Sequence, residues 1–336
     1  MERRFLKIII FTSLLITSCQ QIPINESNKK FVGDNIDKQN LEIDLKKQEK
    51  IISYHSDIWS YILTNSSYTS DGLDEQTLMY MNRHLQDLDK FKEFLNDSYY
   101  FIFFVIEELE NAKLPIELAF LPYIESNYDP FSISSSGAVG MWQFMPRTGR
   151  TYDLERSWWN EDRHDPFKST SAAIKYLKYL YERFDQDLYL TLAAYNAGPS
   201  FLDRQIKRNQ RRGLNTDYWS LDLPIQTRNY VPKFIAIKEL IINSDQYDIE
   251  LPFIPYEPVV AKIEIPGQVE ILTLSEYLNI KPELLYKLNA GYTKWASAPS
   301  EKSVFYIPIE QYDYFQTSEN PFSDSNQINW ISHTVE

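Results

Sequence analysis

The sequence predicts a mainly α-helical protein with a small C-terminal α+β module, and three observations carry this prediction. Apolar residues recur at helical spacing in successive segments from Ile51 to Ile241. Between residues 50 and 245 the alternating pattern of a strand is weak. After Asp248 the chain becomes proline-rich, and residues 259–265 then alternate apolar and polar side chains as a strand does. The chain therefore divides into a helical domain and a smaller mixed one.

The composition limits the kind of protein. The chain has 336 residues, enough for about two domains, and its 43% hydrophobic and 15% aromatic content excludes global disorder. Because 34 Lys and Arg stand against 47 Asp and Glu, the net charge is −13. That charge repels phosphate backbones and argues against a nucleic-acid binder. The single cysteine, Cys19, excludes an intramolecular disulfide and a cysteine-rich zinc site.

The N-terminus has the layout of a secretory signal. Basic residues precede a largely apolar run over 8–16, which is too short to span a membrane as a helix. The sequence Ile-Thr-Ser-Cys at 16–19 resembles the bacterial lipobox, which implies that residues 1–18 are a lipoprotein signal peptide and that Cys19 is lipidated. In bacteria with two membranes, the resemblance implies that Gln20 after the cysteine favours the outer membrane, so we expect a lipid-anchored protein facing the periplasm. An ordinary signal with an incidental cysteine is the alternative.

The mature chain begins with a polar segment and continues into helices. Residues 19–45 predict a flexible tether, and we place the helical domain at 46–247. One helix face is predicted from Ile51, Tyr54, Ile58, Tyr61 and Ile62. The apolar run 101–106 predicts a buried helix. Pro115 suits the first turn of another, which turns Leu118, Leu121 and Ile124 inward and carries Glu125 near its C-terminal end.

Three further helices complete the helical domain. Thr170 and Ser171 are placed to cap a helix over 172–184. The next helix spans 188–196 and stops at Gly198, a residue type that commonly ends helices. The last one has an apolar face made of Phe234, Ile237, Leu240 and Ile241.

The C-terminal module is predicted from its alternation of short elements. A linker at 248–258 leads to a module at 259–312, in which a strand, helices over 272–278 and 282–288, and a strand at 304–308 give the order βααβ. Residues 313–336 are rich in Ser and Asn and predict a disordered tail.

Three motifs carry the functional prediction. They are Glu125-Ser126-Asn127-Tyr128-Asp129-Pro130, then Gly-Ala-Val-Gly-Met-Trp-Gln-Phe-Met-Pro at 137–146, and Ala-Ala-Tyr-Asn-Ala-Gly at 193–198. In this order and at these separations they resemble the lytic transglycosylases of bacterial cell walls, over about residues 85–245. The resemblance implies a goose-lysozyme-like domain. It also implies cleavage of peptidoglycan glycan strands between N-acetylmuramic acid and N-acetylglucosamine, leaving a 1,6-anhydromuramyl end.

Glu125 is the predicted catalytic residue. Breaking a glycosidic bond requires a proton on the leaving oxygen, and a carboxylic acid supplies it if it is protonated near neutral pH. The apolar helix face before Glu125, together with Met141, Trp142 and Phe144, is expected to raise the pKa of Glu125 by desolvation. The motifs supply no second carboxylate, which most glycosidases use. The resemblance implies that the 2-acetamido oxygen of the substrate takes that part and that no metal or organic cofactor is required.

The resemblance also implies the residues that bind the glycan. They are Ser134, Gln143, Met145, Tyr195 and Asn196, with Ser126 and Tyr230 as second candidates. Tyr195 matches a tyrosine whose hydroxyl reaches towards the catalytic glutamate or the sugar. One departure is Gln226, two residues after Pro224, where family members often have a glutamate.

Structural alternatives remain for several of these residues. Glu125 can be an ordinary helix-ending charge, Gln143 a core amide satisfied by the backbone, and Tyr195 a helix-packing residue. Trp158 and Trp159 suggest sugar stacking, but burial explains them equally well. The charged residues of 162–165 are better explained as a structural ion-pair or capping group than as catalysts.

Two regions each have more than one interpretation, one of which is a binding surface. The basic residues Arg204, Lys207, Arg208, Arg211 and Arg212 form either a solvated helix face or a surface that attracts peptide carboxylates. The C-terminal module is similar to LysM-type wall-binding domains but lacks their usual entry motif, having Gly267-Gln268-Val269-Glu270 instead. It is either a glycan-binding module or a structural appendix. For the whole protein the alternatives are a muramidase, a catalytically idle wall-binding lipoprotein and a structural envelope adaptor.

Overall fold

A computed structural model describes residues 57–66, 73–319 and 321–322 of the chain. The predicted signal peptide, the lipidation site Cys19 and the tether lie outside these residues, as does the first part of the first predicted helix. The described residues form a mainly α-helical protein with one two-stranded sheet. No helix among them combines the length and the apolar character needed to cross a bilayer.

The helical part consists of α-helices joined by short loops and single 3₁₀ turns. Its α-helices are Ile58–Asn65, Glu75–Leu85, Leu88–Asn96, Ile102–Ala112, Leu121–Glu125, Pro146–Thr151, Pro166–Arg183, Leu188–Ala197, Pro199–Arg211, Ile225–Arg228 and Tyr230–Ile242. The 3₁₀ turns are Ile116–Phe120, Tyr218–Ser220 and Ser244–Tyr247.

Aspartate caps decide where several of these helices begin. Asp57, Asp74, Asp87 and Asp187 each accept hydrogen bonds from main-chain N–H groups of the helix that follows. Asp165 does the same for helix Pro166–Arg183. The predicted start of this helix at residue 172 was therefore wrong, because Asp165 caps it and Pro166 occupies its first turn.

The segment that leads to Glu125 is not one helix, as the sequence predicted, but two short ones. A 3₁₀ turn, Ile116–Phe120, is followed by the single α-helical turn Leu121–Glu125 with a proline at its start. Leu118 and Leu121 are fully buried, as predicted, whereas Ile124 is only partly buried. Glu125 thus emerges where a firmly packed segment leaves the core.

Helix Tyr230–Ile242 is the buried centre of the helical part. Its Phe234, Leu240 and Ile241 are buried, in agreement with the predicted apolar face. It packs against helices Glu75–Leu85 and Leu188–Ala197. A fully buried aliphatic or phenylalanine side chain contributes about 1.5–3 kcal/mol, so this helix fixes its first residue, Tyr230, firmly in place.

The predicted linker 248–258 is extended but packs closely against the helices. Ile254 is fully buried, and its carbonyl accepts a hydrogen bond of 2.8 Å from the main-chain N–H of Ile58. The indole N–H of Trp59 donates to the carbonyl of Pro252 at 2.6 Å. The segment therefore belongs to the core of the helical part.

The C-terminal module has the predicted βααβ order. Strands Val260–Pro266 and Lys302–Pro308 pair antiparallel, and helices Ile271–Tyr277 and Pro282–Leu288 lie between them in sequence. Inward-facing residues of both strands build a separate small core with these helices. A further helix, Tyr312–Thr317, buries Phe315. This corrects the predicted disordered tail, which started too early at residue 313.

The module is joined to the helical part by main-chain and ring contacts. The N–H of Glu161 donates to the carbonyl of Gly291 at 2.9 Å, and the N–H of Thr293 donates to the carbonyl of Trp159 at 2.8 Å. Phe167 and Tyr306 stack with their ring centroids 3.7 Å apart. The approach is so close that a Cβ on Gly291 would lie 2.8 Å from the Cβ of Asp165.

Candidate active site

Glu125 is partly buried at the end of helix Leu121–Glu125. The hydroxyl of Tyr230, which starts helix Tyr230–Ile242, donates a hydrogen bond to its Oε1. Oε2 receives no hydrogen bond from any residue that the structure describes. One carboxylate oxygen is therefore held by the protein, and the other is available to a bound molecule.

The electrostatic surroundings favour the protonated form of Glu125. Burial raises the pKa of the carboxyl to about 7, although the Tyr230 hydrogen bond and the positive charge of Lys233 both act to lower it. The predicted upward shift is present, and desolvation is its main cause. A carboxylic acid with this pKa can give and take a proton near neutral pH.

The loop after Glu125 folds back beside it. The Ser126 hydroxyl donates to the carbonyl of Met141 at 2.8 Å, which ties the end of the Glu125 helix to the second motif. Within that motif, Val139 forms bridges to both Ile133 and Phe144. The result is a compact two-turn loop whose inner face is made of buried apolar residues, among them Met141.

Two glycines allow this loop to form. At one of them a neighbouring backbone lies so close that no side chain fits. Gly137 and Gly140 both have φ of +82°, a region that side chains disfavour. A Cβ on Gly140 would lie only 1.8 Å from the carbonyl oxygen of Arg163, whereas a Cβ on Gly137 would meet nothing within 4 Å. Only at Gly140 does the neighbouring backbone itself require a glycine.

Arg163 stabilises the same loop through hydrogen bonds and an ion pair. Its guanidinium binds both carboxylate oxygens of Glu161, at 2.8 and 2.9 Å, and also donates to the carbonyls of Gly137 and Phe144. Arg163 and Glu161 are both buried. Burial acts to raise the pKa of Glu161, but the bound guanidinium outweighs it and the pKa ends below its usual value. Arg163, Asp162 and Asp165 therefore have the structural role that the sequence favoured, as an ion pair with Glu161, an ion pair with Lys168 and a helix cap.

Gln143 uses its amide nitrogen within the protein. Nε2 donates to the carbonyl of Gly140 at 2.8 Å and, more weakly, to that of Ser132 at 3.3 Å. This matches the backbone-satisfied amide that the sequence offered as the alternative to substrate binding. Its carbonyl oxygen has no partner among the described residues, so only that end remains for a ligand.

Tyr195 lies near Glu125 but bonds to a different group. Its hydroxyl donates to the carbonyl of Trp142 at 2.8 Å. Burial, followed by the charge of Glu125, raises the pKa of Tyr195 well above its usual value. The two side chains therefore share one electrostatic environment, and the structure shows no direct hydrogen bond between them.

Asn196 braces the segment that contains Gln226. Its Oδ1 accepts a hydrogen bond of 2.8 Å from the hydroxyl of buried Thr227. Gln226 precedes Thr227 on the short helix Ile225–Arg228 and is exposed. Thr227 was missed by the sequence analysis, because no local pattern indicates a contact between these distant positions.

Ser134 and Met145 lie on the loop, and neither side chain forms a hydrogen bond with Glu125. The Ser134 hydroxyl accepts from the N–H of Ala138 at 2.9 Å, and Met145 is 43% exposed. Lys233, whose charge acts on Glu125, was also missed as a site residue. Its spacing of three residues from Tyr230 on one helix was the available signal.

The basic residues of helix Pro199–Arg211 and the following turn lie on an exposed face. Arg208 pairs with Asp222 at 3.1 Å, and Arg204 lies over the ring of Phe201. The solvated-face interpretation fits these contacts. Within the ranges that the structure describes, no group of three or more His, Cys, Asp or Glu side chains is arranged to hold a metal ion.

Comparison with known proteins identifies relatives of the chain. Residues 104–217 match the family model described as the transglycosylase SLT domain. The chain is 31% identical over 274 residues to membrane-bound lytic murein transglycosylase D of Escherichia coli (strain K12), which covers 80% of this chain and 59% of that protein. It is 33% identical over 108 residues to membrane-bound lytic murein transglycosylase F of Alcanivorax borkumensis, covering 30% of this chain and 22% of that protein.

Solved structures give a weaker likeness. The 70 kDa soluble lytic transglycosylase of Escherichia coli aligns with 61% of this chain and 43% of its own, at a TM-score of 0.34 and 15% sequence identity. The chain spans less than two thirds of the length of each of these relatives. The resemblance that the three motifs predicted is confirmed.

Proposed function

Because this chain is a relative of the lytic transglycosylases and carries their SLT domain, we propose that it cleaves the glycan strands of peptidoglycan. The target is the β-1,4 bond between N-acetylmuramic acid and N-acetylglucosamine. The observation that carries this proposal is the Glu125 carboxyl, whose pKa is raised to about 7 and whose Oε1 is held by Tyr230.

In the first step Glu125 acts as a general acid. Since Tyr230 occupies Oε1, the transferable proton resides on Oε2 and passes to the glycosidic oxygen as the C1–O bond breaks. The carboxylate that remains is stabilised by the Tyr230 hydroxyl. The 2-acetamido oxygen of the muramic acid donates electron density to C1 and takes the place of a second carboxylate.

In the second step Glu125 acts as a base. Its carboxylate removes the proton from the C6 hydroxyl of the same sugar, O6 forms a bond to C1, and the acetamido oxygen is released. Glu125 is protonated again, and the product ends in a 1,6-anhydro ring without consuming water. The nucleophile is already tethered to its target, and well-oriented systems gain roughly 7–11 kcal/mol from such proximity.

The remaining site residues bind and orient the glycan. Gln143 presents its carbonyl oxygen to a substrate N–H, because its amide nitrogen is engaged by Gly140. Exposed Met145 and the Ser134 hydroxyl line the approach along the loop. Tyr195, Asn196 and Ser126 hold the loops on which these groups depend.

The protein is proposed to act from a membrane. Lipidation of Cys19 tethers it on the periplasmic side, with the outer membrane favoured by Gln20. The C-terminal module is proposed as a LysM-like part that holds peptidoglycan while the helical part cuts it. No nucleic acid and no cofactor enter this proposal.

Digestion of purified wall sacculi tests the proposed reaction. Wild-type protein is expected to release fragments with anhydro ends, which are lighter by one water than hydrolytic fragments in a mass spectrum. Glu125→Gln is expected to lose about 10²–10⁴-fold in rate. Glu283→Gln, on the module helix Pro282–Leu288, is the matched control and should cut normally.

Each competing function predicts a different result. Fragments that carry the mass of added water identify a muramidase. Equal turnover by wild type and Glu125→Gln identifies a non-catalytic wall-binding lipoprotein. A failure of the wild-type protein to bind sacculi identifies a structural adaptor.

A further inference from the structure

A cavity of about 470 Å³ lies between the helical part and the C-terminal module, with residues of both in its walls. This volume falls within the roughly 300–1,000 Å³ of known ligand sites, which often occur where two compact parts meet. Glu125 is not among its lining residues. The cavity is therefore distinct from the candidate active site.

The wall contributed by the helical part carries excess negative charge. Asp162, Asp165 and Lys168 line it, and Lys168 pairs with Asp162 at 2.8 Å. Asp165 forms no ion pair within 4 Å among the described residues, although the charge of Lys168 also acts on its carboxyl. Its Oδ1 caps helix Pro166–Arg183, and its Oδ2 receives no hydrogen bond among the described residues. One carboxylate oxygen on this wall is thus left without a donor.

The wall contributed by the module carries excess positive charge. Lys262 and Lys302 project from the same face of the two-stranded sheet, since residues 262, 264 and 266 lie opposite 306, 304 and 302. Both lysines share one carboxylate: Lys302 bonds to Glu264, and Lys262 is 3.9 Å from it. Two ammonium groups against one carboxylate leave one positive charge uncompensated.

We propose that this cavity binds a zwitterion, an amino acid or a peptide end that carries both an ammonium and a carboxylate. The ammonium donates to Asp165 Oδ2, the carboxylate oxygen on this wall that receives no hydrogen bond among the described residues. The carboxylate lies against Lys262 and Lys302. Each unmatched charge of the cavity then meets its opposite. The site joins both parts of the protein, so an occupied cavity also ties the module more firmly to the helices.

Binding of alanylalanine and its capped forms to the full chain tests this proposal. Calorimetric titration is expected to show saturable binding of the free dipeptide. Acetylation of its amino end or amidation of its carboxyl end should each weaken binding at least about tenfold, the loss of one charge-assisted hydrogen bond. Free alanine in a parallel titration distinguishes a single amino acid from a peptide as the preferred ligand.

Two variants assign the two ends of the ligand. Lys302→Met should weaken binding of the free dipeptide. The free dipeptide should then bind this variant no more tightly than its C-terminal amide does. Asp165→Asn should abolish the advantage over the acetylated form, because it replaces Oδ2 by an amide group that donates instead of accepting. It keeps the Oδ1 that caps helix Pro166–Arg183, so the fold is retained. Lys281→Met, outside the cavity, is the control and should bind as wild type.

Several outcomes overturn the proposal. It fails if capped and free dipeptides bind equally, if only the carboxylate end matters, or if no saturable binding occurs in the millimolar range. None of these measurements involves glycan cleavage. Failure here therefore leaves the proposed reaction of Glu125 untouched, and loss of that reaction leaves this site untouched.

Discussion

The hydroxyl of Tyr230 donates a hydrogen bond to Oε1 of Glu125 across 105 positions of sequence. This bond stabilises the carboxylate, whereas burial of the carboxyl stabilises its protonated form. Burial prevails, and the pKa settles at about 7. The two opposing effects keep both protonation states of Glu125 accessible near neutral pH, which a residue that alternates between acid and base requires.

Tyr230→Phe is expected to move the pH dependence of cleavage. Without the hydrogen bond the pKa of Glu125 rises above about 7, so the acid form persists to higher pH. The alkaline limb of the kcat/KM profile should shift upward by about one to two pH units. Tyr312→Phe in the C-terminal module is the control. An unmoved alkaline limb in Tyr230→Phe would show that this bond does not tune the carboxyl.

Glu125→Gln is expected to stabilise the fold at high pH. The folded-state pKa of about 7 lies above the usual glutamate pKa of 4.5, so ionisation of the carboxyl opposes folding progressively as the pH rises between these values. Glutamine carries no such cost. The unfolding free energy of the variant should exceed that of wild type by up to about 3 kcal/mol near pH 8 and by little near pH 4. Urea unfolding at several pH values measures this, and a difference independent of pH contradicts it.

Gly140→Ala should destabilise the protein far more than Gly137→Ala. Both glycines have φ of +82°, but only a Cβ on Gly140 collides with the carbonyl oxygen of Arg163. The Gly137 variant carries the backbone penalty alone, about 1–2 kcal/mol. The Gly140 variant must also displace the backbone, and a loss above about 4 kcal/mol is expected. Thermal or urea unfolding compares them, and equal losses would mean that the loop yields without cost.

Arg163→Met is expected to cost about 3–5 kcal/mol, because it leaves Glu161 buried without its partner. It also removes the donors that hold the carbonyls of Gly137 and Phe144. Arg156→Met is the matched control. Arg156 contacts the same Glu161 at 3.4 Å but its side chain is 78% exposed, so its loss should cost under about 1 kcal/mol. Comparable losses in the two variants contradict the buried role of Arg163.

The sequence predicted the helices and strands well where periodicity was strong, and less well where single contacts decide. The buried helix from residue 102 and the βααβ order followed from apolar spacing. The start of helix Pro166–Arg183 did not, because Asp165 and Thr170 are both plausible caps and only tertiary packing selects one. Thr170 is instead buried, where it accepts a hydrogen bond from the indole of Trp142.

The site was predicted as a set of residues but not as a network. The resemblance indicated Glu125, Tyr230 and Tyr195 as site residues, and the structure brings the three side chains into one electrostatic environment. Which acceptor each hydroxyl selects depends on distances that no spacing reveals, so the Tyr195 bond to the Trp142 carbonyl was not foreseen. The sequence also did not determine whether Trp158 is buried. Trp158 is 72% exposed, and Nζ of Lys294 lies 3.8 Å from its ring centroid.

The contact of Gly291 with Asp165 bears on how this protein can be re-engineered. Two main-chain hydrogen bonds and the Phe167–Tyr306 ring stack cross the same boundary. A chimera that transplants the C-terminal module alone leaves these partners behind, and its acceptor must supply a segment equivalent to residues 159–161, whose main chain bonds to Gly291 and Thr293. A graft that includes residues 159–161 keeps the main-chain contacts that join the module to the helices. The segment to be transplanted is therefore longer than the βααβ module itself.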